Sequence, residues 1–268
     1  MFVVGGNGYV GSALVGLAPD DAVVVSRAGT EPGAVAWSDL PRALAETTAP
    51  VIVWLLDGAK HDEPARLAEL IKAVPPGAHV AYVSTCTVYG DQPGEPCTED
   101  APLELLAPHA RVKAAGEQAL AAAQISTTVL RLGALYGPDP RGDRRDRVEQ
   151  WLTEASDHGT VTVPDPAHWR GWLHRDQAAR ALLAAARMRV AGVFNVSSAD
   201  ATFADAAGPA ADWFAARVVG SDAPDPLNYR IDSSRAREAG ILSVLPDEDL
   251  PACTTAFAKA HWPHANNG

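Results

Sequence analysis

The chain has 268 residues, of which 47% are hydrophobic and 21% charged, a balance typical of a globular protein with a full apolar core. Its net charge of −11 argues against nucleic-acid binding, which needs basic patches to neutralise phosphates. No apolar run approaches the roughly 20 residues that span a bilayer, and no basic leader precedes the first strand, so we expect a cytoplasmic protein without a membrane partner. The three cysteines show neither metal-ligand spacing nor a disulfide framework, so no metal is expected.

Continuous apolar, β-rich runs alternate with helical stretches in the first half of the chain. This pattern is typical of βαβ units whose parallel sheet is covered by helices on both faces. The predicted strands are Phe2–Val4, Ala22–Val25, Ala34–Trp37, Val51–Leu56, His79–Ser84 and Thr127–Leu132. The predicted helices are Gly11–Leu17, Leu40–Thr47, Glu63–Val74 and His109–Ala123. The sequence therefore predicts an α/β fold, a doubly wound parallel sheet of the Rossmann type.

The character of the chain changes after Gly137, where the elements become shorter and Pro and Asp more frequent. We expect a dinucleotide-binding domain over residues 1–137 and a smaller substrate-binding lobe over residues 138–268, within one globule. The clearest element of the second part is a helix predicted at Asp176–Ala186, which is apolar at helical spacing. Strand-like pieces at Val161–Val163 and Val193–Val196 could extend the same parallel sheet.

A glycine pattern lies between the first strand and the first helix. Gly5 permits a tight turn, Gly8 lets the backbone approach a pyrophosphate, and Gly11 lets the helix pack against the strand. The N–H groups at the start of the helix then face the anion. Tyr9 and Val10, between Gly8 and Gly11, belong to the same predicted cofactor-binding loop. The pattern predicts a dinucleotide site; the alternative is a plain glycine turn.

The end of the second strand addresses the choice of cofactor. Sites that prefer NAD usually place Asp or Glu there to accept from the ribose 2′-hydroxyl, but this chain has Ser26 and Arg27. A hydroxyl and a guanidinium suit a 2′-phosphate, so NADP(H) is favoured and NAD(H) is the alternative. Asp39, after the third strand, is placed to meet the adenine amino group, or else to cap the helix that starts at Leu40.

Several segments in this order resemble the extended short-chain dehydrogenase/reductases, the NAD-dependent epimerase/dehydratase group. They span most of the chain: Gly5–Gly11, Val83–Gly90, Val129–Pro138, Arg170–Asp176, Gly192–Asn195 and Ile231–Ala236. The resemblance implies a Rossmann domain with a small C-terminal substrate lobe. It also implies a sugar-nucleotide or related hydroxy/keto substrate, and a homodimer.

The family's catalytic set is a Ser or Thr followed by Tyr-x-x-x-Lys. The resemblance makes Thr85 the hydroxyl that holds the substrate oxygen and Lys113 the lysine that binds the nicotinamide ribose. The tyrosine position is occupied by His109, which lies one helical turn before Lys113. Imidazole can act as a general acid or base, but it is shorter than a phenol, so a water has to bridge.

The histidine leaves three readings open. His109 could exchange the proton in a reductase or epimerase that acts on a sugar-nucleotide-like or secondary-metabolite substrate. It could serve as the base in a redox-neutral isomerase or lyase. The protein could also be a catalytically inactive cofactor-binding protein.

Three further residues are predicted on the substrate side. Tyr89 and Tyr136 occupy positions that are commonly Tyr in the family, which favours a structural role, although either could line the cleft and supply a proton. Arg170 begins a segment in which the family's arginine often contacts a substrate diphosphate.

Overall fold

The computed structural model of the protein describes residues 1–56, 62–139, 146–245 and 248–263. The strands, in chain order, are β1 (Phe2–Val4), β2 (Val23–Ser26), β3 (Val35–Ala36), β4 (Val51–Trp54), β5 (His79–Thr85), β6 (Asp91–Cys97), β7 (Ser126–Leu132), β8 (Ala134–Tyr136), β9 (Thr160–Val163), β10 (Trp169–His174), β11 (Gly192–Val196), β12 (Ala199–Thr202), β13 (Arg217–Gly220) and β14 (Asn228–Ile231). The α-helices are α1 (Tyr9–Leu17), α2 (Leu40–Ala45), α3 (Glu63–Ala73), α4 (Pro108–Ala122), α5 (Arg147–His158), α6 (Arg175–Met188), α7 (Phe203–Trp213), α8 (Ser234–Glu238) and α9 (Leu250–His261). Short 3₁₀ helices cover Trp37–Asp39 and Cys86–Tyr89.

The main sheet has seven strands in the order β11-β7-β5-β4-β1-β2-β3. Every neighbouring pair in it is parallel. The order reverses direction between β1 and β4, and in such sheets ligands bind beyond the carboxyl ends of the strands at that switch point. The predicted α/β doubly wound fold is therefore confirmed.

Helices cover both faces of this sheet, as the continuous apolar strands predict. On one face Leu14 of α1 and Leu182 of α6 pack against Val3, Val53 and Leu130. On the other face the helices α2, α3 and α4 bury leucines against the opposite side of the same strands. In the described part of the chain, no helix is long and apolar enough to cross a membrane.

The chain beyond Gly137 contributes a strand to the main sheet. It also takes part in the smaller sheets β12-β10-β8, β13-β9 and β14-β6, which together we call the second layer. The predicted strand at Val193–Val196 does extend the sheet, as β11 beside β7. The predicted strand at Val161–Val163 does not, because β9 pairs with β13 in a separate two-stranded sheet. A further core lies beneath this layer, where α5, α7 and α9 enclose Trp151, Trp172 and Phe203.

His79, the first residue of β5, gives the fold a pH dependence. Its side chain is 1% exposed, and its ring nitrogens lie 2.9 Å from the Ser126 hydroxyl and 2.8 Å from the Thr128 hydroxyl. Burial, with a smaller effect from the Arg189 charge, lowers the pKa of His79 to about 4. The folded protein therefore keeps this imidazole neutral where an unfolded chain already binds a proton.

We predict that stability falls as the pH falls from about 6.5 to about 4, because the unfolded state binds one more proton than the folded state in that window. Replacing His79 by Asn should flatten the slope of the unfolding free energy against pH there, whatever it does to absolute stability. Urea unfolding at several pH values measures the slope. His158→Asn, at an exposed position, is the control, and an unchanged slope in His79→Asn would contradict the prediction.

Candidate active site

The glycine loop connects β1 directly to α1 at the carboxyl edge of the sheet. Gly5 has a φ of +88°, in the region that favours glycine. The N–H of Ser12 donates to the Gly8 carbonyl and is the first intrahelical bond, so the N–H groups of Tyr9, Val10 and Gly11 precede the helical ladder. The first turn of α1 holds no acidic residue, and its N-cap makes no side-chain hydrogen bond. These features favour an anion at the helix start.

Gly11 is the position that sets how closely α1 approaches the loop. A Cβ there would lie 2.2 Å from the Gly5 carbonyl oxygen and 2.8 Å from the Gly6 Cα. Any other residue would push the helix away from the loop that it closes.

Arg175, the first residue of α6, joins this loop to the second half of the chain. Its Nε donates to the Tyr9 carbonyl at 2.6 Å, and an Nη donates to the Ser12 hydroxyl at 3.0 Å. The Tyr9 hydroxyl in turn donates to the Gly137 carbonyl at 2.5 Å. Tyr9, predicted only as part of the loop, thus also anchors the loop to the segment that follows β8.

The sequence assigned the Ser26 hydroxyl and the Arg27 guanidinium to a 2′-phosphate. In the structure the Ser26 hydroxyl already has partners within the chain. The Ser26 hydroxyl donates to Glu31 at 2.8 Å and accepts from the Gly29 N–H at 3.0 Å. The other Glu31 oxygen accepts from the Asn7 amide at 2.7 Å, which links it to the glycine loop. Hydrogen bonds from its own backbone and from the Ser26 hydroxyl hold the pKa of Glu31 below its ordinary value. Arg27 is exposed.

Asp39 is exposed and occupies the N-cap position of α2, as one of its two predicted roles required. Its side chain makes no capping hydrogen bond. The adenine contact stays a prediction.

Thr85 and His109 are brought together through a residue between them. The Thr85 hydroxyl lies 2.9 Å from the Thr87 hydroxyl, which lies 2.7 Å from His109 Nε2. Thr85 ends β5 and also accepts from the Thr87 N–H at 3.2 Å, so both hydroxyls are fixed by the turn that begins there. His109 is exposed in the first turn of α4. The arrangement is a chain of two hydroxyls and one imidazole that could pass a proton.

Lys113 lies one turn further along α4, in the protein interior. Its Nζ donates to the Leu56 carbonyl at 2.6 Å and to Glu63 Oε1 at 2.8 Å. The side chains of Lys113 and Glu63 are 8% and 1% exposed, so this is a buried ion pair. Leu56 follows β4, which places the ammonium at the carboxyl edge between the end of β5 and the glycine loop.

The structure places both predicted tyrosines in the core rather than at an open cleft. Tyr89 is 0% exposed; its hydroxyl donates to the Asn195 side chain at 2.7 Å and accepts from Arg131 at 2.9 Å. Tyr136 is also 0% exposed and donates to the Glu248 carbonyl at 2.6 Å. Burial raises the pKa of both phenols. The structural role is favoured for both, and neither is placed to donate a proton to a substrate.

Arg170 does not reach a substrate in this structure, because its guanidinium is used inside the protein. One Nη donates to both Asp225 oxygens at 2.8 and 2.6 Å. The other donates to the carbonyls of Trp169 and Leu227 at 2.7 and 2.5 Å. The side chain is 5% exposed and packs between Phe203 and Tyr229. In this structure Asp225 and the two carbonyls take up these donors, and the diphosphate contact stays a prediction.

One group of side chains has metal-ligand spacing: atoms of His174, Asp176 and Glu248 lie within 4.8 Å of one another. These atoms have other partners, however. His174 Nδ1 accepts the Asp176 N–H at 3.1 Å at the start of α6, and Glu248 forms an ion pair with Arg180. We assign no metal to the group.

Four residues of the candidate site were missed by sequence reasoning: Thr87, Glu63, Glu31 and Arg175. Thr87 had a signal, since it follows Thr85 by two residues in a segment rich in hydroxyls. Glu63 begins a predicted helix and Glu31 lies in a loop, where acidic residues are usually solvated. The Lys113 partner of Glu63 and the Asn7 partner of Glu31 lie 50 and 24 residues away, so no local pattern marks these contacts.

The comparisons with known proteins agree with this fold. The model of the NAD dependent epimerase/dehydratase family matches residues 21–197. The chain belongs to that family, which confirms the resemblance found in the sequence. The enzymes of the family depend on a nicotinamide cofactor. No curated protein matches the chain by sequence.

Solved structures with the same fold share little sequence with this chain. The dTDP-glucose 4,6-dehydratase of Bacillus anthracis, in complex with NAD, is 18% identical, with 98% of each chain covered and a TM-score of 0.76. The UDP-N-acetylglucosamine 4-epimerase of Methanobrevibacter ruminantium is 18% identical, with 97% of this chain and 98% of that chain covered and a TM-score of 0.73. The NDP-hexosamine 5,6-dehydratase of tunicamycin biosynthesis is 20% identical, with 96% of each chain covered and a TM-score of 0.73. At these identities the likeness shows the fold alone.

We predict that Gly11→Ala lowers the free energy of unfolding by about 1–3 kcal/mol, because its Cβ cannot fit against the Gly5 carbonyl. Gly16→Ala, in the same helix, meets no atom within 4 Å and should raise it by about 0.5–1 kcal/mol. Urea unfolding of both variants measures the difference. Equal effects would show that the close approach does not constrain the loop.

Proposed function

We propose that the protein is an NAD(H)-dependent enzyme that oxidises, reduces or epimerises a hydroxyl or keto centre of a sugar-nucleotide-like substrate. The observation that carries the proposal is the hydrogen-bonded chain from Thr85 through Thr87 to His109, with distances of 2.9 and 2.7 Å. It lies at the carboxyl ends of the strands, where open α/β sheets bind their ligands. The family supplies the nicotinamide cofactor, and the solved dehydratases and epimerases motivate the substrate class.

The residues present fit such a cofactor. The first turn of α1 offers N–H groups and no acidic residue to a pyrophosphate. Lys113 offers an ammonium at the edge of β4, in reach of the groups that bind there. When bound, the nicotinamide accepts or supplies a hydride.

The proton is moved by residues of this chain. As a substrate hydroxyl is oxidised, its carbon loses a hydride and its oxygen a proton. Thr85 holds the oxygen, takes its proton and gives its own to Thr87. Thr87 gives its own proton to His109, and the imidazole becomes charged. The hydroxyl of Thr87 thereby bridges the gap that an imidazole, being shorter than a phenol, leaves. In the reverse direction the same groups return the proton.

The Glu31 carboxylate favours NAD(H) over the NADP(H) that Ser26 and Arg27 suggested. It lies 2.8 Å from the Ser26 hydroxyl, at the end of β2 where the adenosine ribose binds in this fold. A carboxylate there accepts from a 2′-hydroxyl and repels a 2′-phosphate. The family description, NAD dependent, points the same way. The homodimer and the cytoplasmic location stay predictions.

We predict that His109→Phe lowers turnover about 10²–10⁴-fold, the usual contribution of a general acid or base. Thr87→Val should also lower turnover, whereas Thr87→Ser, which keeps the hydroxyl, should restore most of it. The measurement is absorbance at the reduced-nicotinamide band with a panel of UDP- and dTDP-hexoses and their 4-keto forms. Full turnover in His109→Phe would contradict the proton-transfer role.

The same assay separates the alternatives. Binding of NADH without turnover on any substrate of the panel would favour a cofactor-binding protein without catalysis. Product formation without net change in the nicotinamide absorbance, retained when the cofactor is removed, would favour a redox-neutral isomerase or lyase. Absence of binding to both NADH and NADPH would contradict the proposed function.

We predict that Glu31→Gln reduces the preference for NADH over NADPH by roughly tenfold, because it removes the charge that opposes a 2′-phosphate. Glu46→Gln, which removes an exposed carboxylate from the end of α2, is the control and should leave the preference unchanged. Fluorescence titration with both reduced cofactors gives the ratio of dissociation constants. A wild-type protein that binds NADPH more tightly would contradict the role of Glu31.

A further inference from the structure

Glu63 receives an unusual number of hydrogen bonds on one oxygen. Its Oε1 accepts from the Trp54 indole at 2.9 Å, the Tyr82 hydroxyl at 2.9 Å and Lys113 Nζ at 2.8 Å. The residue is 1% exposed and opens α3. Trp54 and Tyr82 are core residues of neighbouring strands, so the carboxylate is fixed to the sheet on one side and to α4 on the other.

The second oxygen of Glu63 is used differently. Oε2 is buried and has no hydrogen-bond partner among the residues that the structure describes. A carboxylate that served only to join the sheet to the helix would be expected to use both oxygens, because an unsatisfied buried acceptor is costly. The charge of the carboxylate is instead paired with the Lys113 ammonium, at 2.8 Å.

We propose that Glu63 is a positioning residue that holds the Lys113 ammonium at the carboxyl edge of β4 and cancels its charge there. Lys113 then meets the cofactor with the Glu63 carboxylate beside its ammonium. The inference rests on the proposed function, since it takes Lys113 to lie beside the nicotinamide ribose.

The pair has a consequence for the two oxidation states of the cofactor. The oxidised nicotinamide ring carries a positive charge and the reduced ring carries none, whereas the rest of the two molecules is identical. A free ammonium beside the ring would weaken binding of NAD⁺ relative to NADH, and a free carboxylate would do the opposite. The pair carries one charge of each sign, so it biases the ratio of the two affinities less than either charge alone would.

Calorimetric titration with NAD⁺ and with NADH, at one pH, tests this on the full-length protein. Glu63→Gln should shift the ratio of dissociation constants roughly tenfold towards NADH, and Lys113→Met should shift it roughly tenfold towards NAD⁺. The double variant should return to within about threefold of the wild-type ratio. Contacts common to both cofactors cancel in the ratio, so a general loss of affinity does not imitate the effect.

Stability is followed in parallel by thermal unfolding, because a buried charge left without its partner destabilises the protein. Both single variants should unfold at lower temperature, and the double variant should recover part of the loss. Glu117→Gln is the matched control: it breaks another ion pair of α4, to Arg131 at 2.7 Å, and should lower stability without shifting the ratio. If Glu63→Gln does not fold, Lys113→Met and the double variant still decide the outcome.

An unchanged ratio in either folded single variant would overturn the inference and leave the proposed function standing. Failure of the wild-type protein to bind both NAD⁺ and NADH would overturn the proposed function instead. Opposite shifts in the two single variants, with compensation in the double variant, are the result that supports the charge-balanced pair.

Discussion

The first turn of α1 approaches the loop after β1 so closely that only a hydrogen atom fits as the side chain of Gly11. A Cβ at this position would lie 2.2 Å from the Gly5 carbonyl oxygen. This approach brings the first N–H groups of the helix over the carboxyl edge of the sheet. It also sets where α6 packs, because Arg175 binds the backbone of that turn. The position of these N–H groups and the cover on one face of the main sheet therefore both depend on the same contact.

Helix α4 combines a buried inner face with an exposed first turn. Two buried ion pairs, Lys113–Glu63 and Arg131–Glu117, fix its inner face to α3 and to β7. His109 lies in the first turn, where its ring is open to solvent and bound to Thr87. Such pairs add little to stability when compared with well-packed apolar residues, but they place charges with high accuracy. The fold thus holds the exposed His109 imidazole in the first turn of a helix whose inner face is fixed by two ion pairs.

The sequence allowed the main sheet to be predicted because each parallel strand is a short apolar run with its own local signal. β1 has the predicted bounds, and β5 and β7 differ from theirs by one residue. The pairing of β9 with β13 was missed because some fifty residues separate the two strands, and no local sequence pattern indicates which distant strand will be the neighbour. The same reason explains why the partner of Arg170 was not predicted, since Asp225 lies far along the chain. Thr85, His109 and Lys113 were singled out through the resemblance, and their roles stay predictions. The residues that contact them, such as Thr87 and Glu63, depend on contacts in three dimensions.

Arg175 binds the Tyr9 carbonyl and the Ser12 hydroxyl, and Tyr9 binds the Gly137 carbonyl. Helix α1, which would receive the pyrophosphate, is therefore joined by hydrogen bonds to Gly137, just after β8, and to Arg175 at the start of α6. Displacing either side costs the bonds that it shares with the other. By thermodynamic linkage, any effect of ligand binding at the glycine loop on the position of Gly137 is matched by an equal effect of that position on the binding affinity.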